Sequence, residues 1–225
     1  MTEETNRIER ISRGRVIISA ASAAGDSGDA AVSCGLPDGS LAFILSDGMG
    51  RGMKAAAESG TAIRRLRKML RDGVDANRAI RELNRYMVNK SGEDENFATI
   101  DMTVIDKSTG KADFYKMGAV TSFLVRDHRV RRIQKPALPV GILPKVKLAR
   151  VSVRLRPGDV IIMVSDGITE ADTQDPGARW LEGMLGREDM SKTGPRVLAE
   201  KIAGEACARR KREADDSTVI AVKIL

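Results

Sequence analysis

Aromatic residues are scarce in this 225-residue chain: four Phe, two Tyr and one Trp, 3% in all. Single-stranded nucleic acid is held largely by bases stacked on aromatic rings, so the deficit argues against that partner despite a net charge of +7. The densest basic run, Arg209-Arg210-Lys211-Arg212, reads instead as a solvated helix end, where cations suit the dipole. Histidine occurs once, as His128 between Asp127 and Arg129, a setting that reads as an exposed turn rather than a general base. Two cysteines, Cys34 and Cys207, are too few for a disulfide framework and read as reduced core residues. Cys34 leads into Gly35-Leu36-Pro37-Asp38, which is no phosphate-binding loop of a cysteine phosphatase. Long apolar runs are also missing, none approaching the roughly 20 residues of a membrane helix. The opening stretch MTEETNRIER is too charged for a secretory signal. The expected location is the cytosol, as a free protein or as the cytosolic part of a larger one.

What the chain has in abundance is charge and small or aliphatic residues. Its 42% hydrophobic content suits one substantial core, so a single domain over residues 1–225 is expected, with 1–14 as an N-terminal extension. The excess of cations favours acidic or phosphorylated partners. Alternation and β-branched runs predict strands at Arg15 to Ala20, Ala30 to Gly35 and Leu41 to Ser46, the last two joined as a hairpin by Leu36-Pro37-Asp38-Gly39. A glycine-rich turn, Asp47-Gly48-Met49-Gly50-Arg51-Gly52, then opens a helix from Met53 to Arg71 that Gly73 closes. A second helix starts at Asp75, a suitable N-cap, and runs toward Asn89 with Ile80, Leu83, Tyr86 and Met87 on one face. Met53, Met69 and Met87 are expected to fill core space.

Strands resume at Phe97 to Asp106, Lys111 to Met117, Ser122 to Arg126 and Arg129 to Gln134, which the short turns between them predict to be a β-meander. A proline-punctuated loop from Pro136 to Pro144 leads to strands at Val146 to Leu155 and Val160 to Val164. Helices at Arg179 to Leu185 and Pro195 to Arg212 precede a last strand, Ser217 to Leu225. Strands in runs, with helices in pairs, do not alternate as βαβ units, so the fold class is α+β: two antiparallel sheets packed as a sandwich with helix pairs outside.

Three aspartates stand where an apolar strand gives way to a turn: Asp29 after Gly28, Asp47 in Ser46-Asp47-Gly48, and Asp166 in Ser165-Asp166-Gly167. A fourth acidic site, Asp215-Asp216, precedes the last strand. Any one Asp-Gly is ordinarily a turn; carboxylates delivered repeatedly at the ends of buried strands are a different matter. Hard oxygen donors without imidazole or thiolate select magnesium or manganese over zinc. Gly48-Met49-Gly50-Arg51-Gly52 is not a dinucleotide loop, since Met53 stands where G-x-G-x-x-G needs glycine and no βαβ unit follows.

Ile44-Leu45-Ser46-Asp47-Gly48-Met49-Gly50 followed by a helix, then Ser165-Asp166-Gly167-Ile168-Thr169-Glu170 and Asp215-Asp216-Ser217-Thr218 in that order, resembles the protein phosphatase 2C family. The likeness is to its bacterial branch typified by stage II sporulation protein E, and it runs from Ile17 to Leu225. The resemblance implies an α-β-β-α sandwich and a metal-dependent serine/threonine phosphoprotein phosphatase with two divalent cations, manganese or magnesium. It assigns Asp47 to both cations, the Gly48 carbonyl to one, Asp166 and Asp215 to the other, and Asp29 to a direct or water-mediated role, with Asp216 as the alternative to Asp215. Gly28, Thr99 and Gly118 match positions near the site or in its supporting strands. The substrate implied is a phosphorylated anti-anti-sigma-type regulatory domain in a partner-switching pathway that controls a sigma factor. The resemblance further implies a regulatory helix pair, Met53 to Asn89, whose freedom would come from Gly48, Gly50 and Gly52 at its root and Gly60 within it. Eukaryotic members hold phosphate with an arginine upstream of the first aspartate; Ala20 to Ser27 has none, leaving metals, water and an arginine such as Arg51. The rival class is a non-catalytic phosphoprotein-binding scaffold, which keeping all four acidic placements disfavours.

Overall fold

The computed structural model describes residues 16–22, 28–48, 53–90, 97–175, 177–210 and 216–225. In chain order its elements are β1 (Val16–Ser22), β2 (Asp29–Gly35), β3 (Leu41–Asp47), α1 (Met53–Arg71), α2 (Ala76–Lys90), β4 (Ile100–Asp106), β5 (Lys111–Met117), β6 (Ser122–Arg126), β7 (Arg129–Ile133), β8 (Arg150–Arg154), β9 (Val160–Val164), α3 (Asp166–Thr169), α4 (Arg179–Arg187), α5 (Pro195–Arg209) and β10 (Thr218–Ile224). They form two compact units, each with one five-stranded antiparallel sheet and its own helices, so the α+β class with two antiparallel sheets is the one observed.

The unit of residues 25–119 and 134–154 carries the sheet β2-β3-β4-β5-β8. In β3 the run Leu41 to Ser46 is buried on both faces, which is why it reads as continuous apolar sequence. Ala42 and Ile44 on one face meet Ala62, Ile63 and Leu66 of α1 and Ile80 and Leu83 of α2 in a single core. Helix α1 stops where Gly73, at φ 82°, adopts the left-handed conformation. The Val74 and Gly73 amides then bond back to Met69 and Leu70, a Schellman closure. Helix α2 is capped as its sequence predicts, with Asp75 Oδ1 accepting from the Asn77 and Arg78 amides at 2.9 and 3.2 Å. Cys34 and Met87 are core residues here, Met69 is partly buried, and Met53 is exposed, contrary to the expectation for it.

The other unit, residues 1–24, 120–133 and 155–225, carries the sheet β1-β10-β9-β6-β7. Val160, Ile162 and Val164 of β9 pack with Ile168, Trp180, Leu181 and Leu185, and with Leu198, Ala199 and Ile202 of α5. His128 is an exposed hairpin-tip residue; with Asp127 it takes positive φ, the primed turn that matches strand twist. Cys207 is exposed, so only one of the two cysteines is a core residue.

The four central strands are not a meander. β4 pairs with β5 and β6 with β7, but β5 takes β8 as its other neighbour while β6 takes β9 in the other sheet. The break falls at Gly118, whose φ of 67° turns the chain out of β5; a Cβ there would lie 2.5 Å from Pro139 Cγ. Local turn chemistry cannot reveal which strand takes an open sheet edge, and this switch escaped the sequence reading for that reason.

Candidate functional site

The candidate residues fall into two groups, one in each unit. In the first, Asp29 opens β2 and Asp47 closes β3, and the antiparallel register sets them directly opposite each other. Directly paired residues project from the same face, with Cβ atoms about 5 Å apart, where like charges repel. The strands hold two carboxylates in the arrangement that a cation between them would relieve. The backbone locks this end of the sheet. Thr99 accepts from the Asp47 amide through Oγ1 at 3.0 Å and donates its own amide to the Asp47 carbonyl at 2.9 Å. The Gly48 amide donates to the Gly28 carbonyl at 3.2 Å, and Gly48 pairs with Ala98 as an isolated bridge.

Gly48 is glycine for a steric reason. A Cβ on it would lie 2.0 Å from the Ala55 carbonyl oxygen and 2.9 Å from Ala55 Cα, backbone atoms of the first turn of α1. The helix root therefore rests on the peptide that follows Asp47. Gly28 and Thr99, expected near the site, are hydrogen-bonded to it, whereas Gly118 serves the turn and packing beneath Pro139.

In the second unit, β9 and β10 deliver Asp166 and Asp216 to neighbouring backbone. Ser165 staples the two strand ends: its amide donates to the Thr218 carbonyl at 3.0 Å, its Oγ accepts from the Thr218 amide at 2.9 Å, and that hydroxyl also reaches the Asp216 carbonyl at 3.4 Å. Asp166 starts the single turn α3. Gly167 is again a contact glycine, since a Cβ there would stand 1.9 Å from the Asp216 carbonyl oxygen. Small residues flank the aspartate in both units because each carboxylate-bearing turn is pressed against other backbone. Asp215, Arg51, Gly50 and Gly52 lie outside the described residues. Gly60 sits in α1, where the atom nearest an added Cβ is in the exposed Arg64 guanidinium at 3.0 Å. Among the described residues no group of three or more acidic, histidine or cysteine side chains gathers at one point.

Three features were missed from sequence. Arg210, read as part of a solvated helix end, donates to the Gly167 carbonyl at 2.8 Å and reaches Ser217 Oγ, tying the end of α5 to the Asp166 turn. Arg209 is not simply solvated either: it pairs with Glu205 at 2.6 Å and lies 5.1 Å from the Trp180 ring centroid. The third feature is a buried ion pair, Lys116 Nζ to Asp101 Oδ2 at 2.5 Å, with both side chains at most 2% exposed. Asp101 is paired with Leu45, two residues before Asp47, and so shares the sheet face of Asp47. Charged residues inside strands 100–106 and 111–117 were the available signal, but each reads alone as an outward-facing position.

Known proteins resemble the chain over most of its length. The family model for stage II sporulation protein E matches residues 37–225. Stage II sporulation protein E of Bacillus subtilis (strain 168) is 32% identical over 185 residues, 81% of this chain and 22% of that protein. That of Priestia megaterium is 30% identical over 200 residues, 88% of this chain and 34% of that protein. The chain thus spans about a fifth to a third of the length of these relatives. A solved structure of the PP2C phosphatase domain and a fragment of the regulatory domain of SpoIIE from Bacillus subtilis superposes with a TM-score of 0.84 at 33% identity, covering 93% of this chain and 63% of that one. Motifs and similarity agree: the chain belongs to the stage II sporulation protein E family and has the fold of its PP2C phosphatase domain.

Proposed function

We propose that the chain acts as one metal-dependent catalytic domain that removes phosphate from a phosphoserine or phosphothreonine of a regulatory protein. The observation that carries this reading is the direct opposition of Asp29 and Asp47 across β2 and β3 beside the glycine peptide at Gly48. Their oxygen-only donor set suits manganese or magnesium. Asp47 and the Gly48 carbonyl would hold one cation, with Asp29 acting on it directly or through water; Asp166 with Asp215 or Asp216 would hold another. Two such cations, when bound, activate water and neutralise charge on the phosphoryl group. The chain's own residues fix where that charge is met. Thr99 and Gly28 hold the Asp47-Gly48 peptide, Ser165 and Gly167 hold Asp166 beside Asp216, and Arg210 anchors the Asp166 turn.

The substrate that the family resemblance implies is an anti-anti-sigma-type domain in a cytoplasmic partner-switching pathway, and the net charge of +7 suits a phosphorylated protein. Binding energy from protein surface distant from the phosphate is then available to the reaction, and a small phosphate ester forgoes it. The pair α1 and α2 is the regulatory element of this reading: the first turn of α1 touches Gly48, so displacing the helix displaces a ligand peptide. Among the described residues no helix is long and apolar enough to cross a membrane.

The test is turnover of serine-phosphorylated anti-anti-sigma domains and of p-nitrophenyl phosphate, with manganese and after chelation. Wild type should hydrolyse both, the protein far better. Asp47→Asn and Asp166→Asn should each lower turnover at least a hundredfold while the circular dichroism spectrum and melting curve stay close to wild type. Near-normal turnover in either folded variant would overturn the ligand assignment, and no manganese-dependent hydrolysis by wild type would leave the scaffold reading.

A further inference from the structure

The segment between β7 and β8, residues 134–149, contains Lys135, Lys145 and Lys147 and no acidic or aromatic residue. All three lysines are exposed. Three of the six large hydrophobic residues exposed among the described residues also lie here: Leu138 at 49%, Ile142 at 39% and Leu143 at 46%. Their exposure does not come from slackness. Pro136, Pro139 and Pro144 restrict the backbone. Val140, fully buried, exchanges two hydrogen bonds with Ala98 at 3.0 and 3.1 Å, and the Ala137 carbonyl accepts from the Gly118 amide at 3.0 Å. From α2, Asn84, 1% exposed, accepts from the Gly141 amide through Oδ1 at 2.9 Å and donates through Nδ2 to the Leu143 carbonyl at 2.8 Å. Ala137, Val140, Val146 and Leu148 pack on the core.

Holding aliphatic side chains in water on a fixed backbone gains nothing for the fold. It lowers the ordering cost of binding, because that entropy is already lost before a partner arrives. The location also matters. Gly48 pairs with Ala98, and Ala98 pairs on its other side with Val140. Adjacent strands lie about 4.8 Å apart, so the Val140 backbone is about 10 Å from the peptide that follows Asp47.

We infer that residues 135–147 form a docking surface for the phosphoprotein substrate, engaging an acidic patch that surrounds an apolar pocket on that protein. The inference rests on the phosphoprotein reading above and names the part of this chain that would recognise the protein rather than the phosphate. Charge selects this occupant. A phosphorylated protein brings negative charge to a segment whose only charged residues are lysines, whereas a second copy of this chain would set the same lysines against each other. A lipid surface is the poorer match, since the segment has no Trp, Tyr or Phe to seat at an interface.

The experiment compares two surface variants of the full chain, Leu138→Ser/Leu143→Ser and Lys135→Glu/Lys145→Glu/Lys147→Glu, with wild type. Steady-state kinetics are measured on the best-turned-over member of a panel of serine-phosphorylated anti-anti-sigma domains and on p-nitrophenyl phosphate. For both variants kcat/KM on the phosphoprotein should fall tenfold or more, mainly through KM, while the aryl phosphate value stays within twofold. Added salt should reproduce the lysine effect on wild type. An equal fall on both substrates would mean that the segment only supports the fold, and unchanged kinetics on both would mean that nothing docks there; either overturns the inference. So would wild-type cosedimentation with phosphatidylserine vesicles, lost in the variants, if protein kinetics did not change. Wild type that hydrolysed the aryl phosphate but no panel member would overturn the proposed substrate, and the docking surface with it.

Discussion

Substituting Gly48 by alanine adds one methyl group and tests whether helix α1 is mechanically joined to the site. The added Cβ would stand 2.0 Å from the Ala55 carbonyl oxygen, 2.6 Å from its carbon and 2.9 Å from Cα. Carbon and oxygen that are not bonded settle no closer than about 3.3 Å, so the first turn of α1 or the Asp47-Gly48 peptide must move by about 1 Å. Trimming Ala55 cannot help, because all three contacts are to its backbone. The helix is held from behind by Ala62, Ile63, Leu66 and Leu70 in the core, and the peptide is held by Thr99 and Gly28. Overpacking of this kind costs about 1–3 kcal/mol. At roughly 2–4 °C per kcal/mol for a chain of this size, the melting temperature should fall by about 2–12 °C. Because Gly48 is a proposed ligand peptide, the manganese concentration for half-maximal hydrolysis of p-nitrophenyl phosphate should rise at least tenfold as well. A lower melting temperature with an unchanged manganese titration would show that the strain is absorbed in the helix alone. Wild-type behaviour in both would refute the close approach itself.

How much of this could be read from the chain depends on the range of the interactions involved. The bounds of α1, β5, β6 and β9 follow from periodicity, a closing glycine and β-branched runs, all within a few residues. Asp29, Asp47 and Asp166 are legible because each ends an apolar strand, and their order carries the family resemblance. What sequence could not supply is lateral: that Asp29 and Asp47 are directly opposed, that β6 leaves the sheet of β5, and that Lys116 faces Asp101. Register between strands is decided by side-chain packing over the whole face, so no local motif encodes it. The expected strand from Val146 shows the same limit. It begins only at Arg150, after a segment in which Gly141, Leu143 and Pro144 are bonded to Asn84 on α2. Arg210 was hidden for another reason: a basic run at a helix end looks alike whether it meets water or a carbonyl 43 residues away.

Three further perturbations probe the frame around the site. Lys116→Met leaves Asp101 buried without its cation and should cost about 3–5 kcal/mol in urea unfolding, most of it recovered in Lys116→Met/Asp101→Leu; additive losses would refute the pairing. Burial holds the Lys116 ammonium below its ordinary pKa against the pull of Asp101, so the unfolded chain binds the extra proton. Wild-type stability should therefore gain with rising pH once the folded value is passed, up to the unfolded value near 10.4, and the double variant should lack that gain. Arg210→Met removes the donor to the Gly167 carbonyl and should raise the manganese needed for half-maximal turnover several-fold; a lower melting temperature alone would make Arg210 a tie for α5 and nothing more. Gly60→Ala tests the switch assigned to α1. Alanine in a helix interior is favoured over glycine by about 1 kcal/mol, and the three atoms nearest the new methyl all belong to the exposed end of the Arg64 side chain, so the variant should melt about 2–4 °C higher. If regulation requires α1 to bend or shift against Gly48, the same stiffening must alter manganese affinity or the response to the protein substrate; a stability gain with both unchanged would make the helix pair a rigid outer layer.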